Sequence, residues 1–506
     1  MILAIDLGTS VTKLSVWEPD GIRAMSRAQL VTRHAPGGRA EQDPELWWES
    51  VVRAGKDLRL EPGHTGSPAG SGPGELAASV EAVVFSAARQ SFVPVDADLR
   101  PIGPGLLWSD RRAAEEAKSL CATFGGAEEL RRRTGIYHDA GSVPAKLAWL
   151  ARHEPQRIKR ARWFLSPRDL VVHGLTGEVL TDFTLASASG LYEASGAVAA
   201  DLLRWALSSE GRAPTGVDLE VQELLPDVVA PSCVAGILLA EPARILGLRA
   251  GIPVVIGAGD RACEVLGSDA SAEVPMVSWG TTANVSVPAT LRPEQIAPGM
   301  IATRGALEGW ILEGGLSAAG SLIDWIATTT ATRPSELMEG ARSSPAGANG
   351  LIVLPWLGGA RAPWWRAEAR AAVLGLSADH SPADIARAAL EGVAYDLLRC
   401  IDSVFAGRPA PRGLVLGGAG STMGAWRDVL SAVSGLPARS RRSGEAASAG
   451  AALVAAGALG LPFDIDQMDP VAATTEVDAS LAQHYRSARE QADAVASAVL
   501  GALREP

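Results

Sequence analysis

Met1-Ile-Leu-Ala-Ile-Asp-Leu-Gly-Thr-Ser-Val-Thr-Lys-Leu-Ser-Val-Trp17 consists of a short apolar run, a polar turn and a second apolar run. Residues 2–5 are suited to a central strand, and the apolar pattern resumes over residues 14–17. The segment therefore predicts a β-hairpin. Gly8 lets the backbone turn sharply there and approach a ligand closely.

The polar turn of this hairpin offers several groups that bind phosphate oxygens. Besides its backbone N–H groups, it carries three hydroxyls and one cation, on Thr9, Ser10, Thr12 and Lys13. Asp6, at the end of the first strand, is placed to hold a hydrated Mg²⁺ beside those phosphates, because this ion prefers oxygen ligands and keeps several waters. The alternative interpretation is an ordinary hairpin with a polar tip.

Length and composition set the broad class of the protein. A chain of 506 residues predicts two large domains with a cleft between them, because single cores seldom exceed roughly 250–300 residues. The net charge of −11 argues against a sequence-independent nucleic-acid binder. The scattered cysteines lack C-x-x-C spacing, which favours a reduced, cytoplasmic chain over a disulfide framework or a zinc site. These cysteines are Cys121, Cys233, Cys263 and Cys400.

Two features of the sequence bear on membranes. No charged-then-apolar leader precedes the first strand, so no signal peptide is expected. The uncharged run over residues 446–463 is nearly long enough to span a bilayer, but it is mostly Ala and Gly and ends in Pro462-Phe463. This run predicts a buried helix, and neither a membrane nor a nucleic acid is expected as a partner.

Polar residues follow two strand-like segments, residues 80–85 and 93–96. Because polar residues at strand ends commonly line a pocket, we expect substrate contacts from this region. The candidates are Arg89, Gln90, Trp108 and Asp110. For the arginine and the aspartate, a surface ion pair is an equally good interpretation.

The segments around these strands predict helices and loops. Asp43-Pro44 is typical of a helix start, with the aspartate as cap. Residues 64–74, HTGSPAGSGPG, have nothing to bury and predict a flexible surface loop. A helical pattern extends over residues 114–175, and Thr176-Gly177 breaks it. The polar loop expected after this break contains Asp182 and Ser187.

The sequence Gly251-Ile-Pro-Val-Val-Ile-Gly-Ala-Gly-Asp260 predicts a buried strand that ends in an acid. An aspartate at this position can reach a ligand in the cleft. The alternative role for Asp260 is the N-cap of the helix that follows, and the two roles are compatible.

A second strand–turn–strand pattern covers Met276-Val-Ser-Trp-Gly-Thr-Thr-Ala-Asn-Val-Ser-Val287. Its Gly280-Thr281-Thr282 repeats the Gly8-Thr9-Ser10 pattern of the first hairpin. The repeat indicates an internal duplication, with one hairpin in each domain. Two such hairpins that face each other would clamp a polyphosphate from both sides.

Further along, Glu313-Gly-Gly-Leu-Ser-Ala-Ala-Gly320 predicts the opening of a helix. Gly413-Leu-Val-Leu-Gly-Gly-Ala-Gly-Ser-Thr-Met-Gly424 predicts a strand, a glycine-rich loop and a helix start. Such a loop lets backbone amides and a helix N-terminus approach a nucleotide closely.

Taken in order, these elements resemble the FGGY carbohydrate kinases, which belong to the actin-like ATPase superfamily, over nearly the whole chain. The family's phosphate motifs are similar to Asp6-Leu-Gly-Thr-Ser-Val-Thr-Lys13 and to Ser278-Trp-Gly-Thr-Thr282. Its catalytic Gly-Asp is similar to Gly259-Asp260, and its adenosine loop resembles Gly417-Gly-Ala-Gly-Ser421. A further family signature resembles the segment that ends in Lys146-Leu-Ala-Trp-Leu150.

The resemblance implies an α/β fold with two actin-like (ribonuclease H-like) ATPase domains around a central cleft for nucleotide and sugar. Residues 1–268 would carry the sugar site, the first phosphate loop and the catalytic aspartate, and residues 269–506 the second phosphate loop and the adenosine site. ATP and Mg²⁺ are the implied cofactors, with Asp260 as catalytic base and Asp6 as metal ligand. The implied cofactor-binding residues are Gly8, Thr9, Ser10, Lys13, Gly280, Thr281, Thr282, Gly320, Asp324, Gly417, Gly418, Ala419 and Thr422.

Departures from the family pattern are concentrated near the sugar. Where xylulokinases carry Met-His-Gly, this chain has Arg89-Gln90-Ser91. This tripeptide is closer to the Arg-Glu-Thr of glycerol kinases. Arg261 replaces a common Gln after the catalytic aspartate, and Ala360 replaces the Glu of a Gly-Glu-Arg motif. The segment over residues 41–48 is xylulokinase-like. The substrate-binding residues implied are Arg89, Gln90, Trp108, Asp260 and Arg261.

The predicted function is ATP-dependent phosphorylation of a hydroxyl of a sugar or polyol, with a ketopentose such as xylulose preferred. Because two arginines suit a carboxylate, an aldonate such as gluconate is the alternative, and glycerol or another polyol is a further one. The oligomeric state is left open, with a homodimer among the alternatives.

Other function classes fit the sequence less well. A non-catalytic actin-like nucleotide-binding module would be marked by loss of Asp260 or of a phosphate loop, and both are present. A dinucleotide-dependent oxidoreductase would explain the glycines from Gly418 to Gly424 but would leave the two Gly-Thr hairpins without a purpose. The G-x-x-x-x-G-K-[ST] motif of P-loop kinases does not occur in the sequence.

Overall fold

The computed structural model describes residues 1–60, 79–208 and 221–503. The predicted loop at residues 64–74 lies outside the described residues. Strands in the first half of the described chain are β1 (Ile2–Leu7), β2 (Val11–Glu18), β3 (Gly21–Gln29), β4 (Arg33–Ala35), β5 (Arg39–Gln42), β6 (Arg59–Leu60), β7 (Ala82–Ala87), β8 (Val93–Val95), β9 (Gly105–Leu106), β10 (Trp163–Leu165), β11 (Leu180–Asp182), β12 (Asp227–Val229), β13 (Val234–Ile237) and β14 (Pro253–Gly259).

Strands in the second half are β15 (Met276–Trp279), β16 (Ala283–Ala289), β17 (Ile301–Arg304), β18 (Trp310–Gly315), β19 (Ile352–Leu354), β20 (Ala372–Leu374), β21 (Leu414–Gly417), β22 (Ala438–Arg441) and β23 (Val471–Thr475). The α-helices are α1 (Glu45–Lys56), α2 (Ala114–Thr123), α3 (Ala127–Thr134), α4 (Val143–His153), α5 (Pro155–Arg160), α6 (Pro167–Thr176), α7 (Phe183–Ser189), α8 (Ala200–Leu207), α9 (Ala240–Leu246), α10 (Asp260–Gly267), α11 (Gly320–Thr329), α12 (Pro334–Ser343), α13 (Pro382–Phe405), α14 (Gly424–Ser434), α15 (Ala446–Leu459), α16 (Ile465–Met468) and α17 (Ala479–Ala502).

Each half contains a seven-stranded sheet, and the two sheets repeat one topology. The first has the order β13-β14-β7-β1-β2-β3-β6, and the second β17-β18-β16-β15-β21-β22-β23. In the first, the antiparallel hairpin β1–β2 lies beside the parallel strands β7 and β14. In the second, the hairpin β15–β16 lies beside the parallel strands β21 and β22. The duplication predicted from the two Gly-Thr turns is thus confirmed at the level of sheet topology.

The predicted hairpin strands and the buried strand before Asp260 are present, because their apolar runs fill the centres of the two sheets. The helical pattern predicted over residues 114–175 is partly wrong. Strand β10 interrupts it and pairs with β8. The polar loop predicted after Gly177 is also wrong: the Asp182 side chain accepts a hydrogen bond from the Thr184 amide and caps α7, which contains Ser187.

The two halves meet where α10 crosses α15, the buried helix predicted from the Ala-rich run. The contact needs glycine on both helices. A Cβ on Gly450 would lie 1.9 Å from the Cys263 carbonyl oxygen, and one on Gly267 would lie 2.0 Å from the Ala446 carbonyl oxygen. Helix α15 therefore packs between the halves, and no helix in the described ranges is long and apolar enough to cross a bilayer.

Candidate active site

Three parallel strands of the first sheet bring the predicted catalytic residues to one edge. Strand β7 pairs with β1 and β14, so that Asp6 lies opposite Ser86 and Gly259 opposite Ala87. The carboxyl ends of neighbouring parallel strands form a crevice in which α/β proteins bind ligands. The chain after β7 leads to Arg89, and the chain after β14 leads to Asp260.

Asp6 is a part-buried carboxyl whose Oδ1 accepts a hydrogen bond of 2.8 Å from the Ser86 hydroxyl. Burial raises the pKa of Asp6 to about 6, and the nearby Lys13 ammonium opposes this rise. The negative charge of Asp260 adds to it. A cation at this position would favour the charged carboxylate.

Asp260 is the first residue of α10, and Gly259 is the N-cap, so the alternative role of Asp260 as N-cap is wrong in detail. Its Oδ1 accepts a hydrogen bond of 2.7 Å from the Arg261 amide and lies 3.3 Å from Arg89 Nε. Its Oδ2 makes no hydrogen bond with any described residue. The side chain is 44% exposed, so this oxygen is available to a substrate.

Arg89 forms a bidentate ion pair with Glu313, at 2.7 Å and 2.8 Å. Glu313 lies on β18 of the second half, is 1% exposed and also accepts a hydrogen bond from the Thr303 hydroxyl. Burial acts to raise the pKa of Glu313, but the charge and hydrogen bonds of Arg89, together with the Arg261 charge and the Thr303 hydroxyl, hold that pKa below its usual range. Arg89, predicted as a sugar ligand, thus connects the two halves.

The role of Glu313 is not predicted from the sequence, whose pattern favours the opening of a helix at this residue. The residue lies inside a strand, and the helix begins only at Gly320. A usable signal exists in the sequence, because a single acid in the apolar segment Trp310-Ile-Leu-Glu313 is costly to bury without a cation.

Arg261 is also ion-paired, through Nη1 to Glu264 Oε2 at 2.5 Å. Its Nε lies 3.8 Å from Glu313 Oε2 and has no hydrogen-bond partner among the described residues. Both arginines predicted to bind the sugar therefore already face carboxylates.

The buried Lys146 fixes the loops that carry Gln90 and Trp108. Its ammonium donates to the carbonyl oxygens of Gln90 at 2.7 Å and Leu107 at 2.8 Å. Burial lowers the pKa of Lys146 to about 7. The Gln90 amide reaches the Ala188 carbonyl, and the residue holds a φ of 60°.

The neighbouring residues differ in what they contact. Trp108 Nε1 donates to the Thr9 hydroxyl at 3.4 Å, so this predicted sugar ligand touches the phosphate turn. Asp110 is wrong as a substrate candidate. It is fully buried, and its Oδ2 lies 2.7 Å from Arg112 Nη2.

The first phosphate turn is only partly as predicted. Thr9 and Ser10 lie in the turn with Gly8, but Thr12 lies on β2, is fully buried and shares a hydrogen bond of 2.6 Å with the Ser50 hydroxyl. Thr12 therefore offers no hydroxyl to a phosphate. Lys13 Nζ donates to Glu445 Oε2 at 2.8 Å, another contact between the halves.

The second phosphate turn lies against the predicted adenosine residues. The Gly320 amide donates to the Gly280 carbonyl at 2.9 Å, and the Ala319 amide to the Thr281 carbonyl at 3.0 Å. A Cβ on Gly418, whose φ is 75°, would lie 2.8 Å from the Trp279 carbonyl oxygen. The structure thus brings together the turn, the start of α11 and the glycine-rich loop after β21.

The remaining predicted nucleotide residues lie around this contact. The Thr282 carbonyl accepts from the Gly280 amide at 2.9 Å, and Gly417 ends β21 opposite Ser278. Asp324 is exposed on α11, one turn beyond Gly320. Ala419 and Thr422 begin and end a 3-10 turn.

The chain is similar to known proteins over most of its length. Residues 1–267 match the model of the FGGY family of carbohydrate kinases, N-terminal domain, and residues 276–459 match that of the C-terminal domain. A xylulose kinase from Escherichia coli (strain K12) is 30% identical over 467 residues, 90% of this chain and 89% of the relative.

Two solved structures share the fold. A xylulose kinase from Lactobacillus acidophilus is similar with a TM-score of 0.86 at 22% identity, over 99% of this chain and 98% of that one. A xyloylose kinase from Brucella ovis is similar with a TM-score of 0.84 at 26% identity, over 99% of each chain. The predicted two-domain actin-like fold is confirmed, and the chain belongs to the FGGY family of carbohydrate kinases.

Proposed function

We propose that this kinase transfers the γ-phosphoryl group of ATP to a hydroxyl of a ketopentose, with xylulose as the first choice. The observation that carries the proposal is the free Oδ2 of Asp260 at the edge where the first phosphate turn and Arg89 converge. The similarity to the xylulose kinase of Escherichia coli supports the choice of sugar. ATP is the phosphoryl donor that family membership implies.

Asp260 would accept the proton of the attacking sugar hydroxyl. The oxygen of that hydroxyl bonds to the γ-phosphorus while the bond from the γ-phosphorus to the β-phosphate oxygen breaks, and ADP leaves. The backbone and hydroxyls of Thr9, Ser10, Thr281 and Thr282 are proposed to position the phosphates. Catalysis in this reaction type consists mostly of positioning and of charge stabilisation.

The pairing of both arginines favours a neutral substrate. Arg89 is balanced by Glu313 and Arg261 by Glu264, so neither brings an uncompensated charge for a carboxylate. An aldonate would have to displace a buried glutamate from its cation, which is costly. A ketopentose needs only hydrogen bonds, which these groups supply.

The residues also fit Mg²⁺. The described residues contain no group of three or more His, Cys, Asp and Glu side chains that could hold a metal, so protein ligation would rest on Asp6, with waters and phosphates as further ligands. The rise in the Asp6 pKa that burial causes is what a dication would relieve. Bound there, the ion would neutralise phosphate charge.

We further propose a division into domains 1–268 and 269–506, between the two sheets. A cytoplasmic location is proposed from the four free cysteines, which match a reducing compartment.

A phosphorylation screen over ketoses, polyols and aldonates tests the function, together with Asp260→Asn. The variant should bind ATP and sugar while kcat falls roughly a hundredfold or more, because the amide cannot take the proton. Wild-type turnover in Asp260→Asn would contradict the mechanism. Turnover of gluconate with none of xylulose, ribulose or a polyol would contradict the substrate but not the kinase.

A further inference from the structure

Arg361 lies beside the Glu313 strand, with its guanidinium carbon 5.4 Å from the centroid of the Trp365 ring. Its Nε is buried without a hydrogen bond, and no carboxylate among the described residues lies within 4.0 Å of its nitrogens. Burial lowers the pKa of Arg361, and the Asp139 carboxylate opposes this. Burying the Nε–H donor without an acceptor is costly, and the guanidinium has further N–H donors for a ligand.

The backbone holds Arg361 next to the Glu313 strand. The Ala362 amide donates to the Gly315 carbonyl at 3.1 Å, and Gly315 lies two residues beyond Glu313 on β18. A Cβ on Gly315 would lie 3.9 Å from Arg361 Nη1 and 3.5 Å from the Asn284 amide nitrogen. Two donor groups therefore border the space that the missing side chain of Gly315 leaves.

Of the charges that act most strongly on Arg361, those of Asp139, Arg111 and Arg89 belong to the first half, and that of Glu313 belongs to the second. Asp139 has the largest effect on its pKa after burial, followed by Arg111, Glu313 and Arg89. Asp139 accepts hydrogen bonds from Arg111 at 2.5 Å and from the Gly141 amide at 2.9 Å, and its carboxylate does not come within 4.0 Å of the Arg361 nitrogens.

From this arrangement we infer that Arg361 is a specificity-determining residue that donates hydrogen bonds to oxygen atoms of the sugar, at the end opposite the hydroxyl presented to Asp260. The inference rests on the proposed function and deepens it. It names a polyhydroxy chain whose far end carries oxygen acceptors, either the hydroxyl and carbonyl of a ketose or the carboxylate of an aldonate, and the gluconate measurement below distinguishes the two. It also makes the second half, through Arg361, a contributor to sugar binding.

Arg361→Met removes the donors and keeps much of the apolar length. We expect the KM for xylulose to rise about 10- to 100-fold, because hydrogen bonds from a charged donor are lost, while the KM for ATP stays unchanged. Arg370→Met is the matched control, since Arg370 is an exposed arginine of the same segment that binds only backbone carbonyls. Its kinetics should equal those of the wild type.

A substrate lacking the terminal hydroxyl opposite the phosphorylated one supplies the second measurement. In the wild type its kcat/KM should be about tenfold lower than that of xylulose, and in Arg361→Met the two substrates should differ little. If Arg361→Met does not fold, Arg361→Lys takes its place, because it keeps the charge and loses the planar fork. An unchanged xylulose KM in a folded variant overturns the inference.

The two failures are distinguishable. If the wild type does not phosphorylate xylulose, the proposed substrate is wrong, and the comparison is made with the sugar that the screen identifies. An unchanged KM for that sugar in Arg361→Met then overturns the role of Arg361. If the wild type prefers gluconate and Arg361→Met loses activity on gluconate alone, the assignment of a neutral sugar as the ligand of Arg361 is overturned.

Discussion

Glu313→Gln tests the connection between the halves and the sugar site at once. In the wild type, both oxygens of this buried carboxylate accept from Arg89, at 2.7 Å and 2.8 Å. Glutamine keeps the shape but turns an NH2 group towards one guanidinium nitrogen, so a donor faces a donor. The variant leaves Arg89 with Asp260 at 3.3 Å as its remaining charged partner.

The expected cost follows from the burial of the pair. Removing one partner of a buried ion pair costs about 3–5 kcal/mol, because the other charge stays buried without compensation. Replacing both partners, in Arg89→Met with Glu313→Leu, leaves no buried charge in the pair, and Asp260 stays solvated because it is 44% exposed. The double variant should therefore be more stable than the summed effects of Arg89→Met alone and Glu313→Leu alone predict. The expected coupling free energy is about 2–3 kcal/mol.

Urea unfolding at neutral pH measures these differences, and xylulose kinetics measure the functional effect. The control is Glu336→Gln, which breaks an exposed pair with Arg333 and should cost at most about 1 kcal/mol. For Glu313→Gln we also expect kcat/KM for the sugar to fall at least tenfold, since the Arg89 charge, no longer balanced by Glu313, then acts more strongly on the neighbouring Asp260 carboxylate. A Glu313→Gln protein as stable as the control, with additive double-variant effects, would refute the reasoning.

Three further predictions concern burial and close packing. Asp6→Asn in metal-free buffer should raise the urea midpoint at pH 8 but hardly at pH 4, because burial raises the pKa of Asp6 from 3.8 to about 6, so the stability cost of its charge grows between these two values and is complete above the higher one; a lower midpoint at pH 8 would contradict this. Lys146→Met should raise the sugar KM more than the ATP KM, since two loop carbonyls lose their donor; equal changes would indicate a purely structural role. Gly450→Ala should lower the thermal midpoint, because its Cβ would lie 1.9 Å from the Cys263 carbonyl oxygen; an unchanged midpoint would show that the helices can separate.

The sequence predicted what is encoded locally. The two Gly-Thr hairpins and Asp260 at a strand end follow from apolar runs that break at glycine and a polar turn, and such runs are short enough to be identified without tertiary information. The error at Thr12 was avoidable, because Thr12 shares a strand face with the buried Leu14 and its hydroxyl must point into the sheet's packed side.

Long-range pairs were beyond local patterns. Arg89 and Glu313 are 224 positions apart, and Lys13 and Glu445 are 432 apart. The local sequence around one residue of such a pair does not predict its partner, because the contact is set by how the two sheets face each other. Strand β10 was missed for a related reason. Three residues gain strand structure only by pairing with β8, and their own pattern continues a helix.

The two cations that the sequence assigned to ligands share one arrangement. Lys13, assigned to phosphate, is held by Glu445, and Arg89, assigned to sugar, is held by Glu313, and both carboxylates belong to the opposite half. A ligand that accepts hydrogen bonds from these cations therefore competes with, or adds to, a contact between the halves. Because a ligand shifts an equilibrium only by its differential affinity for two states, a ligand that binds only when one of these ion pairs is broken weakens the interface, and one that bridges the pair strengthens it. If the sugar acts on the Arg89–Glu313 pair and the nucleotide on the Lys13–Glu445 pair, both ligands change one interface, and each then changes the affinity for the other by an equal factor.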